Sequence, residues 1–283
     1  MGRVNNSCFI DRFDNLNVFL STIKSRPINK AFTGRESRCS SEQEGRVSFT
    51  KTKTYEESED IMSTGYHEGL KDMKKDEKAM HIQAKSSKSV PYASVVGYIP
   101  HVPNAIAGIP CSMISHKNVA IKSKMLSMTY DITANSDVKA DEFVKAGRVL
   151  LSFIEMLELK GYRIKLNMML SACKNAEASV ALIKVKDFRQ PVNPLKLSYM
   201  MLHPSFLRRQ GFKWIETNPC LTDRAFTNCH GTPLYFKCDR DTREMDRWLR
   251  KNGVLGENDV FVSFFDLRNT DHKELVKKLG IKA

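Results

Sequence analysis

The sequence predicts an α/β protein: a three-layer, mostly parallel sheet preceded by a helix-rich N-terminal region. Three observations carry this. Residues 125–170 read as strand, polar loop, long helix and strand; strand-like and helix-like segments alternate through the second half; and the long helix is apolar over most of its circumference, as a helix lying between layers is. The 283 residues allow one large domain or two ordinary ones, and 41% hydrophobic with 27% charged content suits a substantial core. The expected division is a helical region with a flexible loop over 1–88 and an α/β domain over 89–283.

From the N-terminus, Phe9, Ile10, Phe13, Leu16, Phe19 and Leu20 make one apolar stripe at helical spacing, so a helix over Phe9–Leu20 is expected, ended by Pro27. Ala31–Gly45 offers almost nothing to bury and reads as a flexible loop. Val47–Thr52 suits a short strand. Thr54 and Glu57 then have capping-box spacing for a helix that Gly65 stops or kinks. The mixed charges of 67–88 read as a solvated helix face. Four prolines and two glycines in Ser89–Met113 rule out a long helix there, and an extended segment packed on the body is expected.

Ala120–Ile132 is the first central strand, 131–137 its loop, Asp141–Lys160 the long helix with Gly161 as its stop, and Tyr162–Leu170 the next strand. A right-handed crossover makes these two strands parallel neighbours. Ser179–Lys186 follows after a short connection, as an antiparallel edge strand whose Lys184 and Lys186 face solvent. Pro194–Glu216 reads as a helix interrupted at Pro204, Thr242–Asn252 as a helix ended by Gly253, Asp259–Phe265 as the clearest strand, and Asp271–Leu279 as a closing helix.

Charge points to the class of partner. Forty-five Lys and Arg against 32 Asp and Glu give +13, a field that steers association with polyanions or an acidic partner. No run approaches the ~20 apolar residues of a membrane helix, and the polar, acid-containing start is no secretory signal. Met1-Gly2 opens like a myristoylation site, but Asn6 stands where that motif has Ser or Thr. Seven scattered cysteines suit reduced thiols, hence a cytoplasmic location.

Four groups are candidates for chemistry. Asp131, Thr133 and Asn135 alternate just past a strand's carboxyl end, where open α/β sheets bind ligands, and their oxygens suit a hard divalent cation. The same loop, with Ser136 and Asp137, also suits an ordinary helix N-cap. This order of strand, Asp-x-Thr-x-Asn, helix, strand and edge strand resembles the opening of von Willebrand factor A-type domains, and more broadly a Rossmann-like sheet. The resemblance implies magnesium at Asp131, Thr133 and Asn135, with Asp266 as a further contributor; Asn135 stands where the family has Ser. The segments TYEESEDIMSTGYHEG, VPNAIAGIPCSMIS, AGRVLLSFIEMLELKGYRIKL and LHPSFLRRQGFKWIE resemble uncharacterised phage and prophage proteins. That implies a virus-encoded protein in a bacterial cytosol and names no activity.

Cys220, Cys229, His230 and Cys238 have the residue types of a Cys₃His zinc site, yet lack the close Cys-x-x-Cys pairing that preorganises one, so incidental thiols are the simpler reading and no cofactor is expected. Arg208, Arg209, Lys213 and Trp214 could form a phosphate-and-stacking patch for nucleic acid, or end a helix and fill a core. His203 sits in an apolar setting that suits a structural histidine. None of the common nucleophile, phosphate-loop, dinucleotide or zinc-protease motifs occurs. The expected function is therefore non-enzymatic: an interaction protein that meets a protein partner through the sheet edge near Asp131 and a basic face. The alternatives are a nucleic-acid-binding protein and, more remotely, a metal-dependent hydrolase using Asp131 and Asp266.

Overall fold

Alternation along the strands builds the centre of the molecule. The computed structural model describes every residue except 1–2, 6–7, 33–36, 72–86, 121–123, 175–176, 221–229, 231 and 269–283. A six-stranded sheet contains β1 (Arg3–Asn5), β2 (Cys8–Phe13), β6 (Lys124–Asp131), β7 (Tyr162–Lys174), β8 (Glu177–Lys186) and β9 (Asp259–Ser263). Their order is β1-β2-β8-β7-β6-β9. The β2–β8, β6–β7 and β6–β9 pairings are parallel, and β1–β2 and β7–β8 antiparallel. The protein is thus a mixed α/β protein with helices on both faces of its sheet.

Successive residues of a strand point to opposite faces. Met128, Tyr130, Met168, Leu170, Ala181, Ile183 and Val262 enter the larger core. It is filled by helices α1 (Leu16–Ser25), α5 (Ala140–Leu159) and α6 (Pro194–Leu202) and by a π-helix, Phe206–Gly211, that runs on into α7 (Phe212–Glu216). Met169, Cys173, Val180, Leu182 and Phe261 enter the second core, under α8 (Leu234–Lys237) and α9 (Thr242–Lys251). The long helix, its Gly161 turn (φ +87°) and the parallel crossover from β6 to β7 stand as expected. The last strand ends earlier, at Ser263, which caps the short helix α10 (Phe264–Leu267).

Several elements differ from the sequence reading. Phe9–Leu20 is not one helix: Cys8–Phe13 is strand β2, and Asn15 caps α1 by accepting from the Val18 amide. Strand pairing wins because β2 sends Ile10 into one core and Phe13 into the other. Phe13, Phe19, Ile23 and Phe32 of the N-terminal part lie in the core built on β6 and β7. The expected strand Val47–Thr52 is helix α2 (Glu44–Thr50). Helix α3 (Tyr55–Thr64) is capped by Thr54 and ended by Gly65, while the Glu57 side chain takes the Lys53 amide. Strand β8 is interior, because β2 pairs along its outer side. Its Lys186 is buried against Glu158 at 2.5 Å and donates to the Ile164 carbonyl. The expected closing helix 271–279 and most of the charged run 67–88 lie outside the described residues.

A separate three-stranded sheet, order β3-β5-β4, is formed by β3 (Ser87–Ser94), β4 (Ile99–Pro100) and β5 (Met113–Ala120), with α4 (Val102–Ile106) between the last two. Packing of Ser89–Met113 on the body was expected, but no described residue of 90–116 is buried.

Candidate functional site: an arginine-lined cleft

The cleft lies beyond the carboxyl end of β6. The chain leaves Asp131 into loop 132–139, and Thr133, Ala134, Asn135 and Ser136 form one wall. Leu170 and Ser171 of β7 form the floor, and Leu207, Arg208, Gly211 and Phe212 of the helical run another wall. This cavity of about 250 Å³ adjoins a second of about 220 Å³, with Arg46, Phe49 and Thr50 of α2 in its wall. Arg38, Ser136, Arg208 and Phe212 line both. Among the described residues, four arginines and no carboxylate line the two cavities.

Adjacent arginines of the π-helix Phe206–Gly211 take different roles, since consecutive helical residues leave on different sides. Arg208 lies between the Phe49 and Phe212 rings, 5.1 and 5.0 Å from their centroids, and donates to the Asn135 carbonyl at 3.0 Å. Among the described residues it meets no carboxylate. Burial, then the charges of Arg38 and Arg46, lower its pKa to about 10. Arg209 is fully buried and donates to the carbonyls of Cys39, Ser41, Thr52 and Lys53 at 2.8–2.9 Å. It staples residues 39–53 to the helical run. That segment, of which only 39–45 belongs to the expected flexible loop, supplies a wall of the site.

Glu216 orders the neighbouring stretch. Its carboxylate accepts from the Ser37 hydroxyl at 2.6 Å, the Arg38 amide at 2.8 Å, the Cys39 amide at 3.2 Å and His230 Nε2 at 2.9 Å. Burial alone would raise this carboxyl, but the His230 and Ser37 hydrogen bonds outweigh it and hold it at about 2. His230, 7% exposed, lines the cavity and stacks on Phe212. Burial lowers its pKa despite Glu216, and Arg38 and Arg46 add to the lowering. Neutral His230 donating from Nε2 leaves Nδ1 a bare acceptor, and that atom is buried with no partner among the described residues.

The expected ligand sets are not assembled. Asp131 and Thr133 do meet: Asp131 Oδ1 accepts from the Thr133 hydroxyl at 2.6 Å and the Thr133 amide at 3.0 Å, and Oδ2 from the Ser171 hydroxyl at 3.4 Å. This carboxyl is fully buried, does not line the cleft, and ties the end of β6 to β7. Burial, opposed by the Thr133 and Ser171 hydrogen bonds, raises its pKa to about 7. Asn135 instead offers its carbonyl to Arg208, and Asp266 accepts from the Ser263 amide in the α10 capping box. No group of three or more His, Cys, Asp and Glu among the described residues could hold a metal. Of the zinc candidates, Cys229 lies outside the described residues; His230 is spent on Glu216, and Cys238 sits in the other core. Of the nucleic-acid candidates Arg208, Arg209 and Trp214 line the cavities, but Arg209 is held by four backbone carbonyls and Trp214 is fully buried with its indole N–H on Asp11, while Lys213 is half-buried outside both.

Sequence reasoning missed Arg38, Arg46, Phe49 and Glu216. Glu216 is an acid at the end of an apolar run, a pattern that signals a buried partner; the other three carry no local signal.

Fold and cleft define a mixed α/β protein with a cationic cleft at the end of its central strand. The chain belongs to the family described as Domain of unknown function (DUF7192), which it matches over residues 3–281. No curated protein matches it, and no solved structure does. No described helix is long and apolar enough to cross a membrane.

Proposed function

We propose that the protein is a non-enzymatic binding protein that holds an oxyanion group of its partner, a phosphate or a carboxylate, in the arginine cleft. The observation that carries this is a pair of adjoining cavities lined, among the described residues, by four arginines and no carboxylate, with Arg208 at their junction and Arg209 already held by backbone carbonyls. A guanidinium matches the two oxygens of such a group in a planar fork, and the site desolvates the pair. Asn135, Ser136 and His230 Nδ1 add neutral polar atoms around the same space. The succession β6, polar loop, long helix, β7 and antiparallel β8 supports reading the body as von Willebrand factor A-like, with its ligand edge at this loop. Asp131 then supports the edge and does not bind a cation.

Calorimetric titration with sulfate, phosphate and succinate tests the reading and separates the two anion classes. At least one binds, and Arg208→Ala weakens it about 10–100-fold, the loss of one charge-assisted contact. The bound anion raises the depressed His230 pKa, so sulfate, which does not titrate here, binds more tightly as pH falls and His230 takes up a proton. Absence of binding at tens of millimolar, or an Arg208→Ala protein that binds equally well, overturns the reading.

A further inference from the structure

Among the described side chains of the three-stranded arm, residues 90–116, none is buried. Nine of the thirteen exposed large apolar side chains among the described residues fall in 90–109, led by Val96 (78% exposed) and Ile106 (82%). Three strands need a packed apolar face for stability, and an apolar surface of this kind on an ordered element marks an interface. Charge narrows the occupant: over the arm, 87–120, the chain has two lysines, Lys88 and Lys117, and no acidic residue.

Hydrogen-bond parity narrows it further. Only Met113 and Ile114 of β5 pair with β4, and the Ile114 carbonyl accepts from the Tyr98 amide on that side. Main-chain groups alternate sides along a strand, so His116 and Asn118 turn their N–H and C=O groups to the same side as Ile114. Among the described residues no strand pairs with them there. The other edge is blunted. Pro91, which lacks an N–H, lies opposite His116, and by the same parity its nitrogen faces outward from β3. One edge is therefore open and the other closed.

We infer that the arm docks an extended, acidic and apolar segment of a protein partner, which adds as a strand along β5 at residues 115–120. A lipid surface fits less well, since hydrocarbon cannot satisfy open main-chain groups. A nucleic acid has no use for nine exposed apolar side chains, and a second copy of the arm would bring like charges together. Strand addition takes affinity from main-chain hydrogen bonds and specificity from alternate side chains.

The test uses the full chain and an eight-residue peptide of alternating valine and glutamate. Expected are saturable binding by fluorescence anisotropy, slowed hydrogen exchange confined to 115–120, and at least a tenfold loss in Asn118→Pro. That substitution removes only an outward N–H, so the pairing with β3 persists and exchange in β3 is unchanged. Val96→Asp with Ile106→Asp, both at exposed positions, keeps the fold and also weakens binding. Arg208→Ala leaves it unchanged, which separates this site from the cleft. The inference is overturned by no peptide binding at millimolar concentration, by co-sedimentation of the protein with phosphatidylserine vesicles but not the peptide, by binding of a 20-nucleotide single strand alone, or by a dimer in ultracentrifugation that Asn118→Pro dissolves.

Discussion

Asp131 and Glu216 are both buried carboxyls hydrogen-bonded to hydroxyls and amides, yet they titrate in opposite directions. At Asp131 burial outweighs two hydroxyls and one amide, and the carboxyl rises from 3.8 to about 7. The folded state prefers the proton, so this stability is complete below about pH 3.8 and is lost as pH rises through about 7. At Glu216 the hydrogen bonds outweigh burial and the value falls from 4.5 to about 2. Its stability is present above about pH 4.5 and is lost as pH falls through about 2. Between them the two groups place a stability maximum near pH 4–5. Urea unfolding across pH 3–8 checks this: Asp131→Asn, which keeps an acceptor for Thr133, flattens the decline between about pH 4 and 7 and leaves the acid limb intact. An unchanged slope in that variant means Asp131 is ionised throughout. The positions of both carboxyls were legible in the sequence, but their opposite environments were not, because Ser171, Ser37 and His230 are brought up by tertiary contacts.

At the scale of elements, close approach explains what periodicity cannot. Gly147 lies in the middle of α5, a helix the sequence announces through its apolar run. A Cβ there would stand 1.9 Å from the Met201 carbonyl oxygen of α6, backbone that cannot rotate away. Gly147→Ala therefore costs about 2 kcal/mol or more despite its better helix propensity, read as a lower unfolding midpoint at unchanged denaturant slope. A neutral or stabilising effect would show that α5 and α6 can separate. Element type was legible where one period dominated, as in α5 and α9. It failed at Cys8–Phe13, whose apolar residues suit a strand as well as the first turns of a helix, and only the Asn15 cap marks the boundary. It failed again at Glu44–Thr50, a seven-residue helix anchored on Arg209 through its neighbours.

At the scale of the molecule, the N-terminal strands decide whether the body closes. Strand β2 covers the outer side of β8, sends Cys8 and Ile10 to one core and Phe13 to the other, and carries Asp11, which binds Arg26 and the Trp214 indole. A chain lacking residues 1–13 exposes the β8 edge and leaves Arg26 and Trp214 without Asp11. It is expected to lose its cooperative thermal transition in circular dichroism. A truncated chain that still melts in one step within a few degrees of the parent would show that the strands are dispensable.

The sequence by itself determined the layered α/β class, the β6–helix–β7 unit, the place of the loop after Asp131 at the carboxyl end of the strand and the cationic character, because hydrophobic period, caps and net charge are local or additive properties. Only the tertiary structure decided the use of that loop. It buried Asp131, gave the adjacent Arg208 and Arg209 different surroundings, and brought Arg38, from a stretch with almost nothing to bury, and Arg46 to one cleft. It also left the proline-rich segment as an uncovered arm. Those outcomes depend on which distant surfaces meet, and no spacing within a single segment encodes that.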